Sequence, residues 1–385
     1  IIYDSHAYPY FFIDTNANGE SDEGEAVYPN AYKGWTPRLL KAAYNYQVSF
    51  KDPGGYAHGG KYVIQLLYDS IEDLDAGLVD GLRRIDHGHF AGSEEAFRHW
   101  DEDGEVSASC ARCHSSTGLP LYLKEGVDIS QPLSNGLECA TCHDDVVTYT
   151  LYEVGAVEFP SGAELDAGDS KTNMCLNCHQ GRQSTVNVSQ ATADLPADEP
   201  SDALRFLNVH YFAAGATLFG TEAKGAYEFP GKEYLGRNAH VPGYDGCTDC
   251  HSAHQLEVKV EDCSVCHPGT ESAEDLHAIR IAKDDFDGDG DTEEGIAGEI
   301  ETMHEALYEA MQEYAAEFSA AIVYESHSYP YFFLDTDGDG EAGPGEAIYP
   351  NAYSSWTPRL LAAAYNFQFV TRDPGGYAHN PNYTL

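Results

Sequence analysis

The sequence predicts a loop-rich chain, mainly α and irregular, with a few short β-strands and little conventional apolar core. Three observations lead there. All ten cysteines fall into five copies of Cys-x-x-Cys-His, with none left over. The 37 glycines and 18 prolines suit loops better than long regular elements. Aromatic residues reach 12%, with 27 tyrosines, a composition that folds rather than stays disordered.

The five copies are Cys110-Ala111-Arg112-Cys113-His114, Cys139-Ala140-Thr141-Cys142-His143, Cys175-Leu176-Asn177-Cys178-His179, Cys247-Thr248-Asp249-Cys250-His251 and Cys263-Ser264-Val265-Cys266-His267. This spacing is the attachment signature of c-type haem. The two thiols bond to the porphyrin, and the adjacent imidazole of His114, His143, His179, His251 or His267 becomes the proximal iron ligand. Zinc sites do not require a histidine after every second cysteine. A thioredoxin-like motif would be single and set in a βαβ pattern. A disulfide framework would leave the five histidines unexplained. The expectation is five covalently bound haem c groups, whose macrocycles form most of the core.

Along the chain, residues 1–64 recur without a gap as 322–385, at a constant offset of 321. Tyr8-Pro9-Tyr10-Phe11-Phe12 returns as Tyr329-Pro330-Tyr331-Phe332-Phe333, and Asp52-Pro53-Gly54-Gly55-Tyr56-Ala57-His58 returns as Asp373-Pro374-Gly375-Gly376-Tyr377-Ala378-His379. Roughly 60% of aligned positions are identical, far beyond chance. The period is too long for a solenoid unit, so the repeat is domain-scale. The second copy stops where the first runs into a helix, which points to a tandem array of 321-residue units with five haems each; the alternative is a duplication that gives one protein two similar caps. The expected divisions are 1–86, a repeated acidic-loop module plus helix; 87–280, the five-haem region; 281–321, an acidic loop and helix; and 322–385, the second module. Periodicity predicts helices over Tyr62–Asp86 and Ile296–Ala321, and alternation predicts short strands within Val146–Phe159 and Leu256–Val260.

Three acidic loops carry calcium-ligand spacing. Asp335, Asp337, Asp339, Glu341 and Glu346 match positions 1, 3, 5, 7 and 12 of an EF-hand loop, with Gly340 at the sharp turn. The first module repeats the pattern with fewer charges, as Asp14, Asn16, Asn18, Glu20 and Glu25. A third loop offers Asp285, Asp287, Asp289 and Asp291, with Glu293 or Glu294 closing a shortened ring; Glu294 is the chosen ligand. The flanks do not read as paired EF-hand helices. About three calcium ions are expected, stiffening a chain with few regular elements.

Each iron needs a sixth ligand or keeps an open position. Seventeen histidines less five proximal ones leave twelve, whereas only three methionines exist. Bis-histidine ligation follows, a low-potential arrangement because methionine raises the potential. The chosen distal set is His89, His99, His210, His240 and His254, with His89 preferred to His87 and His277 in reserve. His254 sits too close to His251 to reach the far face of that haem, so it should serve a neighbour and force close packing. His58 and His379 are candidates across a repeat junction. His6, His304 and His327 are read as structural.

The formal net charge of −43 excludes nucleic-acid binding, because phosphate would be repelled. No apolar run is long enough to span a membrane.

The stretch His89 to Gly118, the segment Cys178-His179-Gln180-Gly181-Arg182-Gln183-Ser184 and the segment Asn208-Val209-His210-Tyr211-Phe212-Ala213-Ala214-Gly215 resemble secreted multihaem c-type cytochromes of anaerobic bacteria and archaea. The resemblance implies bis-histidine haems in a continuous series, and electron passage between the cell surface and external acceptors or partner cells. It also implies export to the cell exterior or surface (the periplasm is the alternative) and, for some members, polymerisation into cytochrome filaments. The expected partners are copies of the chain itself, other redox proteins or external acceptors. The expected function is an electron conduit, not an enzyme. A multihaem reductase is the alternative, but it needs an open iron position. A soluble periplasmic shuttle differs from the conduit only in assembly.

Overall fold

A computed structural model describes residues 1–79, 81–84, 95–210, 212–255, 257–280 and 282–385. It divides into two compact units, Ile1–His87 and Gly88–Leu385.

The repeated module folds the same way in both units. A short antiparallel hairpin pairs Ile2–Tyr3 with Phe11–Phe12, and Ile322–Tyr324 with Phe332–Leu334. Both copies carry a cis X–Pro bond, at Tyr8-Pro9 and Tyr329-Pro330. The acidic loop follows, then a helix, Pro37–Lys51 or Pro358–Thr371. Each helix starts for the same reasons. Thr36 or Thr357 accepts a hydrogen bond at 3.1 Å from the amide of Leu39 or Leu360, and proline fills the first position, where no amide is needed.

In the first unit the next helix runs Gly55–Leu74, broken at Gly59. It starts and ends earlier than the predicted Tyr62–Asp86. A 3-10 turn, Ala76–Val79, follows it. The predicted helix at 296 is present as Ile296–Phe318 and packs on Pro358–Thr371. The strand predicted over Leu256–Val260 is corrected. Leu256 lies outside the described residues; among the described ones a single bridge, His251 to Val258, forms there, and Val260–Cys263 is a helical turn. The Val146–Phe159 stretch holds two-residue strands, Thr150–Leu151 and Val157–Glu158. Among the described residues every sheet has two strands, each two or three residues long, so the chain is mainly helical and loop-rich.

The second unit holds two apolar clusters. One gathers Leu176, Phe219, Tyr365 and Phe369 beside the motif helices. The other gathers Met311, Phe332, Trp356 and Leu360 where the second module meets the Ile296–Phe318 helix.

Candidate functional site

Four of the five motifs lie on helical turns: Ala108–His114, Cys139–Cys142, Ser170–His179 and Cys247–Cys250. The fifth begins in Val260–Cys263, and the amide of His267 donates to the Cys263 carbonyl at 2.9 Å. A helical turn brings residues i and i+3 to one face, which is where two thiols must stand to hold one macrocycle. Asp169 caps the third motif helix, accepting from Lys171 and Thr172 amides at 3.3 and 2.9 Å. All ten thiols are free of disulfides.

Four of the five motif helices pack in series. Ala108–His114 lies on Ser170–His179, which lies on Cys247–Cys250, which lies on Val260–Cys263. The Cys113 thiol meets Cys178, and Cys175 meets Cys247. The Ala214–Phe219 helix also packs closely on the third motif helix. A Cβ on Gly215 would stand 2.5 Å from Leu176 and 2.9 Å from the His179 carbonyl, so only glycine fits beside the third motif.

Three proximal imidazoles are oriented alike. His114 Nδ1 lies 2.8 Å from the Ala96 carbonyl, His143 Nδ1 2.8 Å from Tyr149, and His179 Nδ1 2.8 Å from Phe212. A carbonyl only accepts, so Nδ1 carries the proton and Nε2 keeps the lone pair a metal needs.

Four proximal rings face a second imidazole. His114 and His210 have centroids 5.8 Å apart, His143 and His254 6.4 Å, His251 and His379 6.3 Å, and His267 and His240 6.1 Å. Two imidazoles on opposite sides of one metal, with bonds of about 2.0 Å and roughly 1.1 Å from nitrogen to centroid, stand about 6.2 Å apart. The residues therefore fit iron held between paired imidazoles. Burial, then His114, hold the His210 ring down to about 4, so it is neutral, the form a metal accepts.

His379 is absent from the distal set chosen on sequence, yet it faces His251. Its Nδ1 lies 2.8 and 2.9 Å from the Asp373 carboxylate oxygens, and Asp373 is 3% exposed. The acid six residues upstream, repeated in both modules, was the available signal. His210, His240 and His254 each stand opposite a proximal histidine. His99 packs against Trp100, 4.9 Å between centroids, and Trp100 lies 5.2 Å from His114. His89 lies outside the described residues, as does His87. His277 packs on Tyr377, and His304 stacks on Phe367. His6 and His327 hydrogen-bond their neighbours Ser5 and Ser326.

The acidic loops are also drawn together. Asp335, Asp337, Asp339 and Glu346 bring one oxygen each within 4.8 Å of one another. Asp285, Asp287 and Asp289 do the same, as do Asp287, Glu294 and Glu299. Glu299 was missed because it lies beyond the usual closing position. It is fully buried, accepts from the Phe286 and Asp287 amides at 2.7 and 2.9 Å, and pairs with Arg280. Burial, then Asp287 and Asp289, push Glu294 up, and Oε1 of Glu294 and Oδ2 of Asp287 are buried without a hydrogen-bond partner. Glu341 and Asp291 keep their places in these loops, their amides donating to Asp339 and Asp289 at 2.9 and 2.7 Å. In the first module Asn16 and Asn18 both donate to Asp22, at 2.7 and 2.8 Å. Glu25 accepts from the Thr15 amide at 2.8 Å and from its hydroxyl, and the Gly19 amide donates to Asp14 at 2.9 Å. The Glu20 amide donates to Asn18 at 2.8 Å.

Residues 95–195 match the family model of cytochrome c7 and related cytochrome c. The chain is 27% identical over 419 aligned positions to the C-type polyheme cytochrome OmcC of Geobacter sulfurreducens, covering 90% of this chain and 50% of that protein. It is 26% identical over 357 positions to OmcB of the same species, covering 75% and 44%. The chain thus spans about half the length of the curated relatives it matches. No solved structure matches. With its attachment motifs and facing imidazoles, the chain is a multihaem c-type cytochrome, homologous to the polyhaem cytochromes OmcB and OmcC.

Proposed function

We propose that the chain is a pentahaem electron conduit that works by haem-to-haem hopping outside the cytoplasm, as a filament or tandem array. The observation that carries this reading is the set of four imidazole pairs, 5.8–6.4 Å apart. Bound haem supplies reversible one-electron chemistry. The proximal histidines His114, His143, His179, His251 and His267 hold one face, and His210, His254, His379 and His240 hold the other for four of them. At these four sites paired imidazoles leave substrate no metal position, which weighs against a reductase. The contiguous motif helices support a relay. Among the described residues no helix is long and apolar enough to cross a membrane, in keeping with an exported protein that acts at or beyond the cell surface.

Intact mass should give five haems per chain, and the ferric spectrum should be low-spin throughout. Carbon monoxide should not bind the ferrous protein. A high-spin band with carbon monoxide uptake in the unaltered chain would overturn the reading.

Calcium at the three acidic loops belongs to the same proposal. The crowded carboxylates of the 285 and 335 loops repel one another unless a cation sits among them. At calcium a hundredfold above its dissociation constant, chelation should lower the melting temperature by about 5 °C. Glu299→Gln and Asp337→Asn should each remove part of that drop. An unchanged melting curve in chelator would count against these sites.

A further inference from the structure

The first module carries an oriented imidazole in a unit that has no attachment cysteine. His58 aligns with His379 and Asp52 with Asp373. The local geometry is the same in both. His58 Nδ1 lies 2.9 Å from both Asp52 oxygens. A Cβ on Gly54 would stand 2.6 Å from the His58 ring, and one on Gly375 2.7 Å from His379. In the second module that ring faces His251. In the first, every cysteine of the chain lies outside the unit, and the His58 side chain is 71% exposed against 26% for His379.

The surrounding face repeats as well. Tyr365 donates to the Gly225 carbonyl at 2.8 Å, Gln368 accepts from the Val209 amide at 3.0 Å, and Tyr383 accepts from the Ala226 amide at 3.2 Å. These contacts seat the second module on the motif-bearing region. The first module keeps all three side chains as Tyr44, Gln47 and Tyr62. Tyr365 is 0% exposed and Tyr44 67%; Tyr383 is 8% and Tyr62 64%.

We infer that residues 1–64 seat on a second copy of the motif-bearing region, 88–321, and that His58 is the distal ligand at that copy's Cys247-x-x-Cys250-His251 motif. His379 already faces His251 within this chain, so the acceptor is a copy preceding the module, as 88–321 precedes 322–385. Head-to-tail seating of this kind extends into an open series unless the rotation between units closes a ring. The inference rests on the paired-imidazole reading of the haem sites.

The test fuses one further copy of residues 88–321 in front of Ile1. The lengthened chain should carry ten haems by intact mass, all low-spin. His58→Ala should make one haem in ten high-spin, added imidazole should restore it, and His58→Met should keep six ligands while raising one potential. His379→Ala should independently make one haem in ten high-spin. In the 385-residue chain His58→Ala should change nothing. If only His379→Ala produces the high-spin band, the role of His58 is overturned; if neither does, the paired-imidazole reading itself fails. A high-spin haem from His58→Ala in the 385-residue chain would place the ligand within one unit and overturn the inference. So would a lengthened chain that fails to accumulate with ten haems, because seating supplies the module the added copy needs.

Discussion

Trp356→Ala should destabilise the Gly88–Leu385 unit by about 3–5 kcal/mol, the usual cost of emptying a fully buried indole site. Trp356 is 1% exposed. Its ring meets Phe332 at 5.5 Å, Phe206 at 5.7 Å and Tyr353 at 4.8 Å, and Nε1 donates to the Tyr353 carbonyl at 3.0 Å. Phe206 comes from the motif-bearing region, so the indole ties the module to what it covers. The same change at Trp35 tests that point. Trp35 keeps the local partners, Phe11 at 5.4 Å and Tyr32 at 5.0 Å, but is only half-buried. Its loss should cost less than half as much. Denaturant titration of both variants measures the difference. Equal costs would mean that the module core, not its seating, holds the indole. Trp356→Ala should also loosen His379, so a fraction of high-spin haem should accompany the lost stability.

Removing the third motif, by Cys175→Ala with Cys178→Ala, should interrupt electron passage more severely than removing the fifth, by Cys263→Ala with Cys266→Ala. The third motif is the junction of the series. Its thiols meet Cys113 on one side and Cys247 on the other, and its helix buries Met174 and Leu176. The fifth lies at the end of the packed helices. Each double variant should lose one haem by intact mass. Conductance or film voltammetry should then fall sharply for the first pair and modestly for the second. Similar losses would contradict a relay ordered in this way.

What the sequence made legible follows from range. A cysteine pair and its histidine are set within one helical turn, so the attachment motifs could be read directly. The repeat, the Ile296–Phe318 helix and the aspartate-rich loops are local too. Facing histidines are not, because the chain must fold before His251 meets His379. Proximity to a motif favoured His99, whereas the ring that stands opposite His251 comes from the far end of the chain. Alternation of Leu256–Val260 suggested a strand, but the fifth motif needs a helical turn there, and Lys259 instead bonds back to Cys250. Glu299 escaped notice because a loop template stops short of it.

The unequal second partners of the imidazoles carry an energetic consequence. His114, His143 and His179 lean on neutral carbonyls, whereas His379 leans on a buried carboxylate. Asp373 draws the Nδ1 proton toward itself and makes the ring a stronger electron donor. A richer donor favours the oxidised metal and lowers its reduction potential. In the proposed conduit, a haem held between His251 and His379 would sit at a lower potential for having Asp373 behind its ligand, and Asp373→Asn should raise that potential.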